Sequence, residues 1–345
     1  MRWKGINYSV GVEYAGRTVS TRPEFDHRIV RREIEIIKND LHCNAVRISG
    51  MYADRLKYAT ECALEVGLEP WTSPQLIDAS PEDTLALLAA CAEAAENLRA
   101  RYGNSSPQPV IVCGCEMTLF MQGLIDGESF MERIRTLSDV AYWRSGGPSK
   151  TNAGLNRYLA QAAEVVRERF DGRITYASGA WEQVDWTPFD IVGIDHYRDA
   201  RNKSTYVDKL REYKRHEKPI AVTEFGCCTY AGAEDRGGMG WAIVDWTKVP
   251  PRLDGDYVRD ESVQARYIVE LLDIFDAESI DGAFVFTFTM PALPGGPSMS
   301  IETRDIPSYA LVMALDEENG AAYPDMSWEP KQAFRVLADR YGRHG

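Results

Sequence analysis

A chain of 345 residues with 44% hydrophobic and 26% charged residues can bury a sizeable core, which excludes intrinsic disorder. Its 39 Lys plus Arg against 52 Asp plus Glu leave a formal charge of −13, a field that repels phosphate backbones and anionic lipid. Nucleic acid and membrane are therefore poor partners, and small neutral or cationic molecules remain open.

The opening MRWKGINYSV reads as a strand, without the basic start, apolar run and small-residue site of a signal peptide. No apolar stretch reaches the roughly 18 residues that a spanning helix needs. The seven cysteines are Cys43, Cys62, Cys91, Cys113, Cys115, Cys227 and Cys228. An odd count without a secretory signal reads as reduced thiols, so a cytoplasmic location is expected.

Short apolar runs alternate with amphipathic stretches along the chain, the pattern of parallel strands joined by crossover helices. The first strand is Trp3 to Tyr8, followed by a helical pattern over Pro23 to Asp40. The second is Ala45 to Ser49, with a helix around Arg55 to Val66. The third is Glu69 to Ser73, and Ser80 with Pro81 then caps a long Ala/Leu-rich helix. Pro109 to Cys115 is the fourth strand, continuously apolar as expected when both faces are covered.

Helical segments around Phe130 to Tyr142 and Leu155 to Phe170 flank the loop RSGGPSKTN. Ile174 to Ser178 and Asp190 to Asp195 are strands five and six. A helix near Tyr206 to His216 leads to strand seven, Pro219 to Thr223. A helix over Asp260 to Phe275 precedes strand eight, Gly282 to Phe288, and Trp328 to Tyr341 is the last helix. Eight strands predict a single (β/α)8 TIM barrel over residues 1–345. The rival open doubly wound sheet lacks its Gly-rich loop after the first strand. Two long loops, Gly226 to Asp260 and Met290 to Trp328, leave the C-terminal ends of strands seven and eight, where barrels build their sites.

Polar residues that end apolar strands are the informative positions: Arg47, Glu116, Trp181 or Glu182, His196 and Tyr197, and Glu224. The carboxylates ending VIVCGCE and PIAVTE are costly in a half-buried mouth unless something uses them. A structural salt-bridge network is the bland alternative. Two such acids suit glycoside cleavage, in which one must hold a proton and the other a charge. Arg47 or Tyr197 would favour the charged one. A retaining pair stands about 5–5.5 Å apart, an inverting pair about 6.5–9.5 Å.

These residues resemble the clan of retaining (β/α)8-barrel glycoside hydrolases, with its acid/base Glu ending strand four and its nucleophile Glu ending strand seven. The matching residues are Glu116 in GCEMTLF and Glu224 in VTEFG. Arg47 in NAVRISG is similar to that clan's strand-two arginine, and DIVGIDHY to the strand-six segment that places an aromatic beside the nucleophile. Cys115 stands where the clan has an Asn that binds a sugar hydroxyl, and Phe288 where it has a Trp that floors the sugar. The whole sequence also resembles, more weakly, actinobacterial proteins labelled abortive-infection proteins, a label that implies little chemistry.

The resemblance implies an enzyme that needs no cofactor, with Glu116 and Glu224 catalytic and Arg47 and Tyr197 beside the nucleophile. His196, Cys115 and Phe288 fall at the same mouth and, with Trp181 and Trp241 as stacking platforms, complete the residues expected to bind a small-molecule substrate. The tryptophans, with Trp246, could equally be packing. RGGMGWAIVDW suits a mobile lid. Asp195 is either a supporting carboxylate or a strand-end acid. Cys115, Cys227, Cys228 and His196 fall near one mouth, but their spacing matches no standard zinc signature, so no metal is expected. Two alternatives remain: a lyase, isomerase or cyclase that uses the same acids on a specialised metabolite, and a non-catalytic binder. Acidic loops and aromatics permit an oligomer without requiring one.

Overall fold

A computed structural model describes every residue except 14–19, 104–106, 246–247, 249–251, 291–300, 317 and 344–345. Seven strands come first: β1 (Trp3–Ser9), β2 (Ala45–Gly50), β3 (Glu69–Pro74), β4 (Val110–Cys115), β5 (Arg173–Gly179), β6 (Val192–Asp195) and β7 (Ile220–Phe225). A two-residue hairpin, β8 (Val244–Asp245) with β9 (Arg252–Leu253), lies in the loop after β7, and β10 (Gly282–Val285) is the eighth barrel strand. All eight pair in parallel and close in the order β1-β10-β7-β6-β5-β4-β3-β2. The expected (β/α)8 barrel is therefore present. Around this ring β4 and β7 stand three places apart rather than diametrically opposed, with β5 and β6 between them.

Helices form where caps and periodicity coincide. Helix α1 (His27–Asn39) starts at Asp26, whose carboxylate accepts from Arg28 N at 2.7 Å. Helix α2 (Ala53–Glu65) packs beside it, and α3 (Pro81–Tyr102) starts at Ser80, as its Ser-Pro signal predicts.

After β4 the chain departs from expectation. A short α4 (Met117–Phe120) comes first. The helix read as Phe130 to Tyr142 is two pieces, α5 (Phe130–Ser138) and α6 (Val140–Arg144), because Asp139 leaves the helical region and caps the second piece. The following helix, α7 (Gly147–Arg167), starts eight residues before Leu155: Gly146 is left-handed and Pro148 suits a first turn. Then come α8 (Tyr206–Glu212), α9 (Glu261–Ala277), α10 (Ile301–Asp305) and α11 (Gln332–Gly342). Trp328–Pro330, read as helix, is a strand (β12) paired with β11 (Val312–Ala314); Pro330 ends it and the helix waits until Gln332.

Inward positions carry Trp3, Ala45, Trp71, Val110, Val112, Ala177, Ala221 and Phe284, while outward ones pack the helices. Trp71 meets Trp3 at 5.1 Å and Phe284 at 4.6 Å, plugging the barrel below the mouth. Gly5 makes room for that plug, since a Cβ there would lie 2.3 Å from the Phe284 ring. The ring is sealed at β1 and β10 by the last helix: Tyr341 O accepts from Lys4 Nζ at 2.9 Å, and Tyr341 Oη reaches Gly5 O and Ala283 O at 3.4 Å. All seven cysteines are buried and unpaired. Among the described residues, no helix is long and apolar enough to cross a membrane.

Candidate active site

Parallel register sets the floor of the site. Asn7 on β1 pairs with Arg47 on β2, both pointing inward. The Arg47 side chain is 1% exposed; its Nη1 donates to Glu224 Oε1 at 2.7 Å and to Asn7 Oδ1 at 3.1 Å, and Nη2 to Ser73 Oγ at 3.3 Å. Asn7 Nδ2 in turn donates to Thr223 O at 2.9 Å, tying β1 to β7. A planar guanidinium held by three strands has one geometry available to it.

Glu224 owes its position to an irregularity. The β6–β7 register runs Ile194↔Val222 and then Asp195↔Glu224, so one extra residue, Thr223, is accommodated on β7. Thr223 Oγ1 donates to Asp195 Oδ1 at 2.7 Å, and Glu224 follows on the same side. Glu224 Oε2 accepts from Tyr197 Oη at 3.0 Å, and its Oε1 lies 3.6 Å from Cys115 Sγ, which also stands 3.4 Å from Asp195 Oδ2. Arg47, Tyr197 and Cys115 thus meet at Glu224. Burial first, then the Glu224 charge, holds Asp195 well above the usual carboxyl range, with Arg47 opposing. Burial likewise raises the Cys115 thiol and the Tyr197 phenol.

Glu116 ends β4 in a turn that side chains rarely adopt. Its φ of 43° and ψ of 47° are left-handed, at a cost of about 1–2 kcal/mol for a non-glycine residue. Two buried contacts hold the turn. Met117 N donates to Tyr176 Oη at 2.7 Å, and Glu182 accepts from Thr118 N at 3.1 Å and Thr118 Oγ1 at 2.7 Å. Glu182 also accepts from Tyr176 Oη and Gly179 N, so its oxygens are committed. The Glu116 carboxyl accepts no side-chain hydrogen bond among the described residues. Burial, followed by the charges of Asp195, Glu224 and Glu182, raises it well above its ordinary value.

The remaining expected residues divide. Trp181 donates from Nε1 to Thr118 Oγ1 at 2.8 Å, two residues from Glu116. Trp181 and Trp241 pack on one apolar cluster with Val12, Ile77, Leu119 and Phe130, to which loops after β1, β3, β4, β5 and β7 contribute. Trp246 lies outside the described residues. The His196 ring stacks on Tyr206 at 4.1 Å, its Nε2 lies 3.2 Å from Tyr206 O, and burial lowers it to about 4. That ring is neutral and packs away from Glu224. Phe288 is fully buried between Tyr8 and Trp328, on the outer side of β1.

Strand β10 ends at Val285, and the half-buried Phe286 is the aromatic next to it. Its ring meets Tyr309 at 5.7 Å, which meets Tyr197 at 6.0 Å. Sequence reasoning missed Phe286, Tyr309, Asn7 and Ser73. Asn7 alone carried a signal, as a polar residue on the inward alternation of a buried strand. In the RGGMG segment, Tyr309 Oη donates to Gly237 O at 2.6 Å and accepts from Gly240 N at 2.8 Å, so part of the expected lid is anchored.

Cys115 Sγ, an Asp195 oxygen and a Glu224 oxygen lie within 4.8 Å of one another, a spacing that suits a metal ion. Arg47 already supplies a cation to Glu224, which opposes a second one there. Cys227 and Cys228 bond elsewhere, to Cys228 O and Pro307 O. Chemically, the mouth offers one carboxyl held beside a cation and a phenol, and another held in a poorly solvated turn.

No family model and no curated protein matches the sequence. Among solved structures, a GH113 β-1,4-mannanase superposes with a TM-score of 0.61 over 99% of both chains, at 13% identity. A β-glucuronidase from Ruminococcus gnavus gives 0.56 at 16% identity, covering 99% of this chain and 50% of that one. Another from Bacteroides uniformis gives 0.58 at 15% identity, with 99% of this chain and 35% of that one covered. The chain thus spans half or less of those two glucuronidases. This protein has the closed (β/α)8 fold on which these glycoside hydrolases are built.

Proposed function

We propose that the chain is an enzyme that cleaves or transfers a glycosidic bond in two displacements. Protonated Glu116 gives its proton to the leaving oxygen while the Glu224 carboxylate attacks the anomeric carbon, forming a glycosyl ester. Glu116, now ionised, then takes a proton from an incoming water or alcohol as that oxygen displaces Glu224. Arg47 and Tyr197 orient Glu224. What carries this reading is the unequal surroundings of the two acids. One is clamped at 2.7 Å by a guanidinium, and the other is raised by burial with no donor of its own. The neighbours named as mannanase and glucuronidases support a carbohydrate substrate.

A panel of 2-fluoro-glycosides followed by peptide mass spectrometry tests this. A glycosyl label on Glu224, absent in Glu224→Gln, is expected. Glu116→Ala should turn over only substrates with good leaving groups, rescued by azide. Full activity in both variants would end the assignment. One observation favours a second reading, proton transfer by the same acids on another metabolite: a buried thiol, Cys115, lies beside Glu224, and Asn7 and Ser73 are already bonded to Arg47. Failure of the panel together with Glu116-dependent turnover of a non-glycoside would select it.

A further inference from the structure

Three carboxyl groups, Glu116, Asp195 and Glu224, share this mouth with the Arg47 guanidinium, which hydrogen-bonds only Glu224 among the three and also meets Cys115. Asp195 is 2% exposed. The groups facing it are Arg47 from β2, Cys115 from β4 and Glu116 just after it, Thr223 and Glu224 from β7, Tyr197 just after β6, and Tyr213 beyond α8. Its β5 partner is Gly179, which has nothing to titrate.

The proton count is the difficulty. Cys115 Sγ lies 3.4 Å from Asp195 Oδ2 and 3.6 Å from Glu224 Oε1, yet a thiol has one proton to give. With Asp195 ionised, that single proton would face two anions, and Asp195 would have to share the Arg47 charge with Glu224 without a hydrogen bond of its own to it.

We propose that Asp195 stays protonated at working pH and is a positioning residue for Glu224, acting through a carboxyl–thiol–carboxylate chain. Asp195 Oδ2–H donates to Cys115 Sγ, and Cys115 Sγ–H donates to Glu224 Oε1. Thr223 Oγ1–H donates to Asp195 Oδ1, at 2.7 Å. Every proton in the run then points toward Glu224, fixing the oxygen that Arg47 also holds. Burial and the Glu224 charge both push Asp195 in this direction. The positioning role rests on Glu224 being the nucleophile, whereas the proton count does not.

The test is carbon-13 NMR of protein labelled at aspartate carboxyls, titrated from pH 5 to 9, with and without Zn²⁺. One resonance, missing from Asp195→Asn, should hold the protonated position at pH 7 and ignore Zn²⁺. Should Asp195→Asn fail to fold, Cys115→Ser supplies the assignment by moving the same resonance. A resonance already ionised at pH 5, as expected near the ordinary midpoint of about 3.9, overturns the proposal. So does a Zn²⁺-dependent shift, which would make the trio a metal site.

On any glycoside that is turned over, Asp195→Asn keeps a donor to sulfur and should lose about threefold in kcat. Asp195→Ala should lose about thirtyfold, with KM little changed in both. Equal losses would remove the positioning role. If no glycoside reacts, the NMR result still decides the protonation, so the two readings fail separately.

Discussion

Replacing Arg47 by Met removes the cation that holds Glu224 while keeping an unbranched side chain in its place. The pair is well enclosed, with side chains 1% and 14% exposed and a contact of 2.7 Å. Removing one partner of such a pair leaves a poorly solvated carboxylate and costs about 3–5 kcal/mol. For 345 residues, with an unfolding entropy of about 2.1 cal/mol/K per residue, that corresponds to a fall in Tm of about 4–7 °C. Arg47→Met, Glu224→Gln and the double variant should be melted beside the wild type at pH 7, followed by circular dichroism. The double variant lacks both charges and should melt above Arg47→Met, because the penalty belongs to the stranded carboxylate. A fall under about 1 °C, or a double variant no more stable than Arg47→Met, would refute a buried, energetically coupled pair.

Three further outcomes are expected. His196, lowered by burial from 6.5 to about 4, stays neutral in the fold while the unfolded chain protonates it. Stability present above about pH 6.5 is therefore lost as pH falls toward 4, by about 3 kcal/mol, and His196→Phe should flatten that slope in urea midpoints. Glu182→Gln turns an amide NH₂ toward donors that now meet an oxygen, so the Glu116 turn loosens. We expect kcat to fall by about 10–100-fold with the far-ultraviolet spectrum unchanged, and equal kcat would show the turn to be held otherwise. Phe288→Ala should cost about 3–5 kcal/mol by opening a core cavity. Phe286→Ala should instead raise KM with a smaller loss of Tm; the reverse pattern would return Phe288 to the site.

The barrel was legible because buried parallel strands read as continuous apolar runs, as in Val110-Ile-Val and Ile220-Ala-Val. Arg47, Glu116, Tyr197 and Glu224 stood out as polar residues ending such runs. What failed was counting past the end of a strand. A two-residue repeat takes Phe284 inward to Phe286 and Phe288, but β10 stops at Val285 after a register shift, and Phe288 turns into the outer layer. His196 and Tyr197 are neighbours, so only one can point straight into the mouth; the strand-six resemblance favours Tyr197, whose hydroxyl meets Glu224, while the His196 ring stacks on Tyr206. Asp195 was legible as an acid but not as a partner of Cys115, because the β4–β5 register shifts between Val112 and Cys115 and so changes who faces whom. The start of α7 was hidden by its Gly- and Ser-rich sequence, which resembles a loop until Pro148 is read as a first-turn residue.

The seal between β1 and β10 bears on how the protein is made. Trp3 leaves the ribosome some 279 residues before its partner Gly282, and Tyr341, which clasps both strands, emerges later still. Through most of translation one flank of the nascent sheet has an open row of amides and carbonyls, the kind of edge that recruits other chains. Early chaperone engagement at the first strand would shield it. Nicking the chain before the final helix should therefore lower the soluble yield far more than its contact area suggests.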